Sequence, residues 1–113
     1  MKKALLLMVG GLFAANLWAA GVDVKGSRSC SHWLDDSRYA KSTTEMNRVP
    51  LLIAKSWFLG YLSGRADASG KNLLKGVDND SIFLWLDNYC RANPGKELEE
   101  AGTALAGELL KQK

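Results

Sequence analysis

Val49-Pro50-Leu51-Leu52-Ile53-Ala54-Lys55-Ser56-Trp57-Phe58-Leu59-Gly60-Tyr61-Leu62-Ser63-Gly64 is the stretch around which the rest of the chain has to be arranged. Pro50 suits the first turn of a helix, where a missing N–H costs nothing. Leu51, Leu52, Ile53, Ala54, Trp57, Phe58, Leu59, Tyr61 and Leu62 then fall almost all round a helical wheel. The spacing predicts a helix over 49–68 that neighbours bury on several sides. It is too short, and too soon followed by Arg65 and Asp67, for a membrane span. Ser56, Gly60 and Gly64 recur at every fourth position and leave a narrow strip of backbone on one face. A helical glycine costs up to about 1 kcal/mol, so the strip implies close approach by something. The first expectation is another helix of the same domain; the alternative is a docked partner.

Working outward, Ser69-Gly70-Lys71-Asn72 breaks this helix, and Leu73–Asp80 connects it to the next. The Gly76–Asp80 end offers turn chemistry and an N-cap. A helix over 81–92 follows, with Ile82, Trp85, Leu86 and Tyr89 at i, i+3, i+4 and i+7, and Phe83 and Cys90 widening the stripe. Asn93-Pro94-Gly95 stops it. The last helix is expected over 96–110: Glu97, Glu99 and Glu100 start it and Lys111 and Lys113 follow its end, as the helix dipole favours. Leu98, Ala101, Leu105 and Leu109 form its inner stripe. Upstream of the central helix, Asp35–Asn47 is polar and reads as a loop. Cys30–Leu34 reads as one or two helical turns with Trp33 and Leu34 inward, and Gly21–Ser29 as a flexible lead-in. No segment alternates with period two for long enough to be a strand. The expected fold is all-α: a small bundle of three main helices plus a short N-terminal helical turn, stapled by one disulfide.

The start of the chain has a different character. Lys2 and Lys3 precede an apolar run, Ala4–Ala15, and small residues close the stretch at Ala19 and Ala20. This is the layout of a secretory signal peptide, with the cut after Ala19 or Ala20. Residues 1–20 are then the signal peptide, and 21–113 a single helical domain exported to the periplasm. An uncleaved anchor is the alternative, but no charged flank closes the run as a stop-transfer signal would. Export places Cys30 and Cys90 in an oxidising compartment, where they are expected to pair. The bridge would close a loop of about 60 residues, worth roughly 3–4 kcal/mol in the chain-entropy model. A metal or redox site is the competing role; there is no CxxC, and His32 is the only imidazole.

The full chain carries 15 basic and 12 acidic residues; without Lys2 and Lys3 the excess falls to about +1. No cluster of Lys and Arg with interleaved aromatics marks a nucleic-acid surface. Catalytic sets are equally thin. His32 has only Asp35 and Asp36 as sequence neighbours for a triad. Asp35/Asp36 and Asp78/Asp80 read as caps and solubilising charges rather than a glycosidase pair. Gly60-x-x-x-Gly64 lies inside an apolar helix, not in a phosphate loop. A non-enzyme without metal or cofactor is expected. Trp33, Trp57, Phe58, Trp85 and Tyr89 read first as core, with a ligand pocket as the alternative.

Three motifs carry a resemblance: Cys30-Ser-His-Trp33-Leu34; Ala54-Lys-Ser-Trp57-Phe58-Leu59-Gly60-Tyr61-Leu62; and Ile82-x-x-Trp85-Leu86-Asp-Asn-Tyr89-Cys90-Arg-Ala-Asn93-Pro94. Together they resemble the HdeA/HdeB family of periplasmic acid-stress chaperones, small exported helical proteins with one disulfide. The Gly-Tyr-Leu-Ser-Gly stretch is also similar to periplasmic immunity proteins against type VI secretion amidase effectors, although those usually carry further cysteines near the central helix, where this chain has Trp57 and Phe58. Either resemblance implies a non-catalytic protein binder. The chaperone resemblance implies a dimer that acid loosens to hold unfolding clients; the other implies one specific partner, such as a peptidoglycan-degrading effector, docked through loop Asp35–Asn47 or Ser69–Asp80. Trp57, Phe58, Gly60, Tyr61, Gly64, Trp85 and Tyr89 are the expected apolar client or partner surface. In strong acid the residues after Ala20 would hold 13 Lys and Arg plus His32, about +14, and self-repulsion would favour opening.

Overall fold

The structure is a computed structural model describing residues 23–42 and 44–113; the expected signal peptide and its cut lie outside the described residues. Among the described residues four α-helices follow in order: α1 (Cys30–Tyr39), α2 (Val49–Ser69), α3 (Asn79–Ala92) and α4 (Leu98–Gln112), with one 3-10 turn, Glu45–Arg48, leading into α2. Among the described residues there is no strand, only an isolated bridge between Ser29 and Glu97. No described helix is long and apolar enough to cross a membrane.

Each helix start has a local cause. Ser29 caps α1 by accepting the His32 amide. Pro50 occupies the first turn of α2, and Gly70, in the left-handed region at φ 71°, ends it. Asp78 caps α3 through the Ser81 amide at 2.8 Å. At α4, Glu97 and Glu100 each accept the other's backbone N–H in a capping box.

The core is assembled from one face of each helix. Trp33, Phe58, Leu62, Leu86 and Leu98 are fully buried, and Leu73 joins them from the α2–α3 connection. The expected inner stripe of α4, Leu98, Ala101, Leu105 and Leu109, is buried as a set. Cys30, at the first position of α1, is disulfide-bonded to Cys90 in the last turn of α3, with Cα atoms 4.9 Å apart. Both cysteines have no exposed surface.

Four expectations need correction. First, α1 is ten residues long and takes in Asp35–Tyr39, which was expected to be loop. Its polar residues are used within the helix: Asp36 turns inward to Arg28, Ser37 Oγ donates to the Trp33 carbonyl at 2.9 Å, and Arg38 pairs with Asp35. Second, α2 is not buried on several sides. Only Ala54, Phe58, Leu62 and Ala66 are buried, while Leu52 and Ile53 are each 59% exposed. Third, among the described residues no helix packs on the glycine strip. A Cβ built at Gly60 or Gly64 meets nothing within 4 Å. The glycine that permits close helix packing is Gly102 of α4, where a Cβ would stand 2.5 Å from Tyr61 Cδ1. Fourth, the lead-in is pinned along its described part. Leu98 N donates to Arg28 O at 2.8 Å, Cys30 N to Lys96 O at 2.8 Å, and Trp57 Nε1 to Lys25 O at 2.9 Å.

Gly102 and Gly64 should therefore respond oppositely to alanine. Gly102→Ala drives a methyl into the Tyr61 ring and should destabilise by about 1–3 kcal/mol. Gly64→Ala meets no neighbour and should stabilise the fold by up to about 1 kcal/mol through helix propensity. Chemical denaturation of the two variants checks both signs.

Candidate protein-binding surface

The seven residues expected to form one apolar surface divide into three environments. Phe58 is core, with no exposed surface. Trp57 and Tyr61 stack on α2 with ring centroids 5.2 Å apart and planes 8° from parallel. Trp85 and Tyr89 stack on α3 at 5.1 Å and 17°. Their i, i+4 spacing places each pair on one helix face. Gly60 and Gly64 lie on the exposed side of α2, away from Phe58.

Both stacks are half-buried and tied down by polar groups. Tyr61 Oη is hydrogen-bonded to Thr103 Oγ1 at 3.0 Å. Trp85 Nε1 donates to Glu108 Oε2 at 3.1 Å, and the core residue Trp33 uses its Nε1 on Asp87 Oδ1 at 2.7 Å. Over Trp57 runs the strap formed by residues 25–29. Gly26, at φ 79°, passes so close that a Cβ there would stand 3.0 Å from Trp57 Nε1. That position needs glycine for its backbone conformation as well as for the space.

A charge pair adds to the hydrogen bonds that hold the strap. Asp36 is buried on α1, and Arg28 Nη2 lies 3.2 Å from its Oδ2 and 3.5 Å from its Oδ1. Oδ2 has charge contact without a well-directed hydrogen bond, and Arg28 Nε has no partner among the described residues. The pair is thus placed by burial more than by ideal geometry. The sequence offered no signal for it, because Asp35 and Asp36 are alike until the helix decides which faces in. At the α3 cap, hydrogen bonds from the Ser81 amide and then from its hydroxyl hold the Asp78 carboxyl below its ordinary value of 3.8. A depressed carboxyl contributes stability that is present above that ordinary value and is lost as pH falls through the lower, folded-state value.

Two further surfaces extend segments that the sequence marked for a partner, the Ser56–Gly60–Gly64 strip and Asp35–Asn47. The outward face of α2 presents Val49 (44% exposed), Leu52 and Ile53 on the same side as Ser56, Gly60 and Gly64. The signal was present: Leu52 and Ile53 lie one turn ahead of Ser56 in the same register. The second is a cleft of about 450 Å³ between α1 and α3, lined by Leu34, Ser37, Arg38, Lys41, Asp87 and Arg91. Tyr39 (64% exposed) stands at the end of α1 and Met46 (77% exposed) in the 3-10 turn.

His32 Nδ1 meets Ser29 Oγ at 2.8 Å on the exposed start of α1. Among the described residues, no three or more His, Cys, Asp or Glu side chains gather to hold a metal ion. The fold and its surfaces define a small, disulfide-linked, all-α domain with exposed apolar and cationic faces. No protein-family model, curated protein or solved structure matches it.

Arg28→Ala should leave the Asp36 carboxylate buried without its cation and loosen the strap. With Arg28 partly exposed, the loss is expected at about 1–3 kcal/mol. Hydrogen exchange adds a local readout: the Leu98 amide, bonded to the Arg28 carbonyl, should gain exchange rate by more than the buried Leu105 amide, which follows the loss of global stability alone.

Proposed function

We propose that the chain is an exported, non-catalytic protein-binding module of the acid-stress holdase kind, secreted by a signal peptide and folded in the periplasm. The observation that carries this reading is the attachment of the aromatic groups to carboxylates. Trp33 is held by Asp87, Trp85 by Glu108, and the strap over Trp57 by the Arg28–Asp36 pair. Acid takes the charge from carboxylates, which weakens indole N–H donation and dissolves the ion pair. The Asp78 cap works in the same direction, its contribution disappearing as pH falls below its usual range. A charge near +14 then strains the packed form. The disulfide keeps α1 on α3, so loosening separates α2, α4 and the strap first and uncovers Trp57, Tyr61, Trp85 and Tyr89.

A pH series from 7 to 2 on the oxidised protein tests this. Tryptophan emission should shift to the red, an apolar dye should bind, and aggregation of an acid-sensitive client should be suppressed, all below about pH 4, where carboxylates titrate. A protein that stays packed and inert down to pH 2 would defeat the holdase reading.

A second reading, an inhibitor or immunity module for one periplasmic effector, is favoured by the Arg38–Lys41–Arg91 cleft beside exposed Tyr39 and Met46. Tyr and Arg are the residue types that dominate protein–protein hot spots. On this reading binding is complete at pH 7. Replacing Arg38 and Arg91 together by Glu should weaken titration against an acidic peptidoglycan-degrading partner at least tenfold and leave the fold unchanged.

A further inference from the structure

α2 and α4 lie side by side in the same sense. Tyr61 meets Gly102 and Thr103, and beyond that contact a groove of about 460 Å³ opens between the two helices. This is within the size range of small-molecule sites. Its walls are short side chains, Ala68 on α2 and Ala106 and Gly107 on α4. A glycine inside a helix costs stability, and a Cβ at Gly107 would meet nothing within 4 Å. Packing among the described residues therefore does not account for Gly107, whereas an open groove does.

The two ends of the groove differ in chemistry. Nearer Tyr61 stand Arg65 and Thr103. Arg65 is exposed and takes part in no ion pair among the described residues. The far end is apolar, made by buried Leu73 and by Leu110, which is 43% exposed. None of the lining residues is acidic. Glu108, the carboxylate next to Gly107 on α4, is turned to Trp85 instead. Lys113, whose Nζ donates to the Lys75 carbonyl at 3.2 Å, adds positive charge after Leu110.

We propose that this groove binds a medium-chain carboxylate, its head on Arg65 and its alkyl chain laid over Ala106 and Gly107 toward Leu73 and Leu110. The guanidinium offers two parallel donors to a carboxylate. With the Tyr61 hydroxyl donating to Thr103 Oγ1, the Thr103 proton is free for the same head. From Thr103 to Leu110 α4 rises about 10 Å. That is the reach of an extended chain of about eight to ten carbons with bonds of about 1.5 Å. Removing that chain from water supplies the affinity, and Arg65 sets the sign of the head. A cationic amphiphile of the same length would fill the groove but be repelled by Arg65.

The groove belongs to the packed domain, so calorimetric titration of the oxidised chain at pH 7 tests the site apart from any acid loosening. Decanoate should bind one to one with Kd below about 1 mM, and octanoate several-fold more weakly. Decyltrimethylammonium should not saturate. Gly107→Leu fills the groove from a position with free space, and Arg65→Glu reverses the charge at its mouth. Each should weaken decanoate at least tenfold with unchanged helical circular dichroism. Ile53→Lys, about three turns before Arg65 on α2, should leave binding as it is. Absence of one-to-one binding below the micelle concentration of decanoate overturns the site. So does equal binding of the cationic amphiphile, affinity indifferent to Gly107→Leu, an equal loss in Ile53→Lys, or association only with phosphatidylglycerol vesicles, which would mark a membrane-surface contact instead.

Discussion

Cys30 and Cys90 meet at the one place where four parts of the chain converge. The bridge joins the first residue of α1 to the last turn of α3. Immediately beside it, the Cys30 amide bonds to Lys96 O, Ser29 faces Glu97, and the Leu98 amide bonds to Arg28 O. The strap, α1, the end of α3 and the start of α4 are thus fixed within a few residues of one covalent link. In the chain-entropy model, closing a loop with a sequence separation of 60 is worth about 4 kcal/mol. For a domain of this size that is a large fraction of the stability hydrophobic burial can leave over. The helices away from the link, α2 and the later turns of α4, are held without a covalent bond, by packing and a few side-chain hydrogen bonds.

That difference shapes how the domain can open. α2 packs chiefly on α4, through Phe58 and Tyr61 against Gly102. No covalent bond crosses this contact. The Tyr61–Thr103 hydrogen bond finishes it at its exposed edge, and Trp85 with Glu108 does the same between α3 and α4. The Arg28–Asp36 pair sits at the boundary between the two regimes: it belongs to the strap, close to the disulfide, yet its release would free the cover over Trp57. The domain therefore has one half tied by a covalent link and one half held by packing and polar contacts at its edge.

Gly60 and Gly64 of α2 and Gly102 of α4 show how similar sequence features acquire opposite roles. Gly102 is buried beneath Tyr61 and sets the distance between α2 and α4. Gly60 and Gly64 face outward, together with Leu52 and Ile53, and set nothing within the domain. A helix apolar on nearly every side has two faces to cover, and among the described residues only one of them is covered.

Local chemistry in the sequence determined the helices and their ends: Pro50 at the start of α2, Gly70 after it, Asp78 before α3, and the Leu98–Ala101–Leu105–Leu109 stripe of α4 are short-range signals that act wherever the segment lies. The disulfide was legible for a comparable reason, since two cysteines in a chain read as exported leave one pairing. The length of α1 was not legible, because its polar residues Asp36, Ser37 and Arg38 are satisfied only once Arg28 and the helix itself are in place. The strap was not legible either, as its hydrogen bonds go to Trp57 and to the start of α4, distant in sequence. Which face of α2 enters the core, and hence which glycines pack and which of Trp57, Phe58, Leu52 and Ile53 remain on the surface, was decided by tertiary structure alone. Periodicity can say that a helix has more than one apolar face; only the number and placement of its neighbours say which of them meets water.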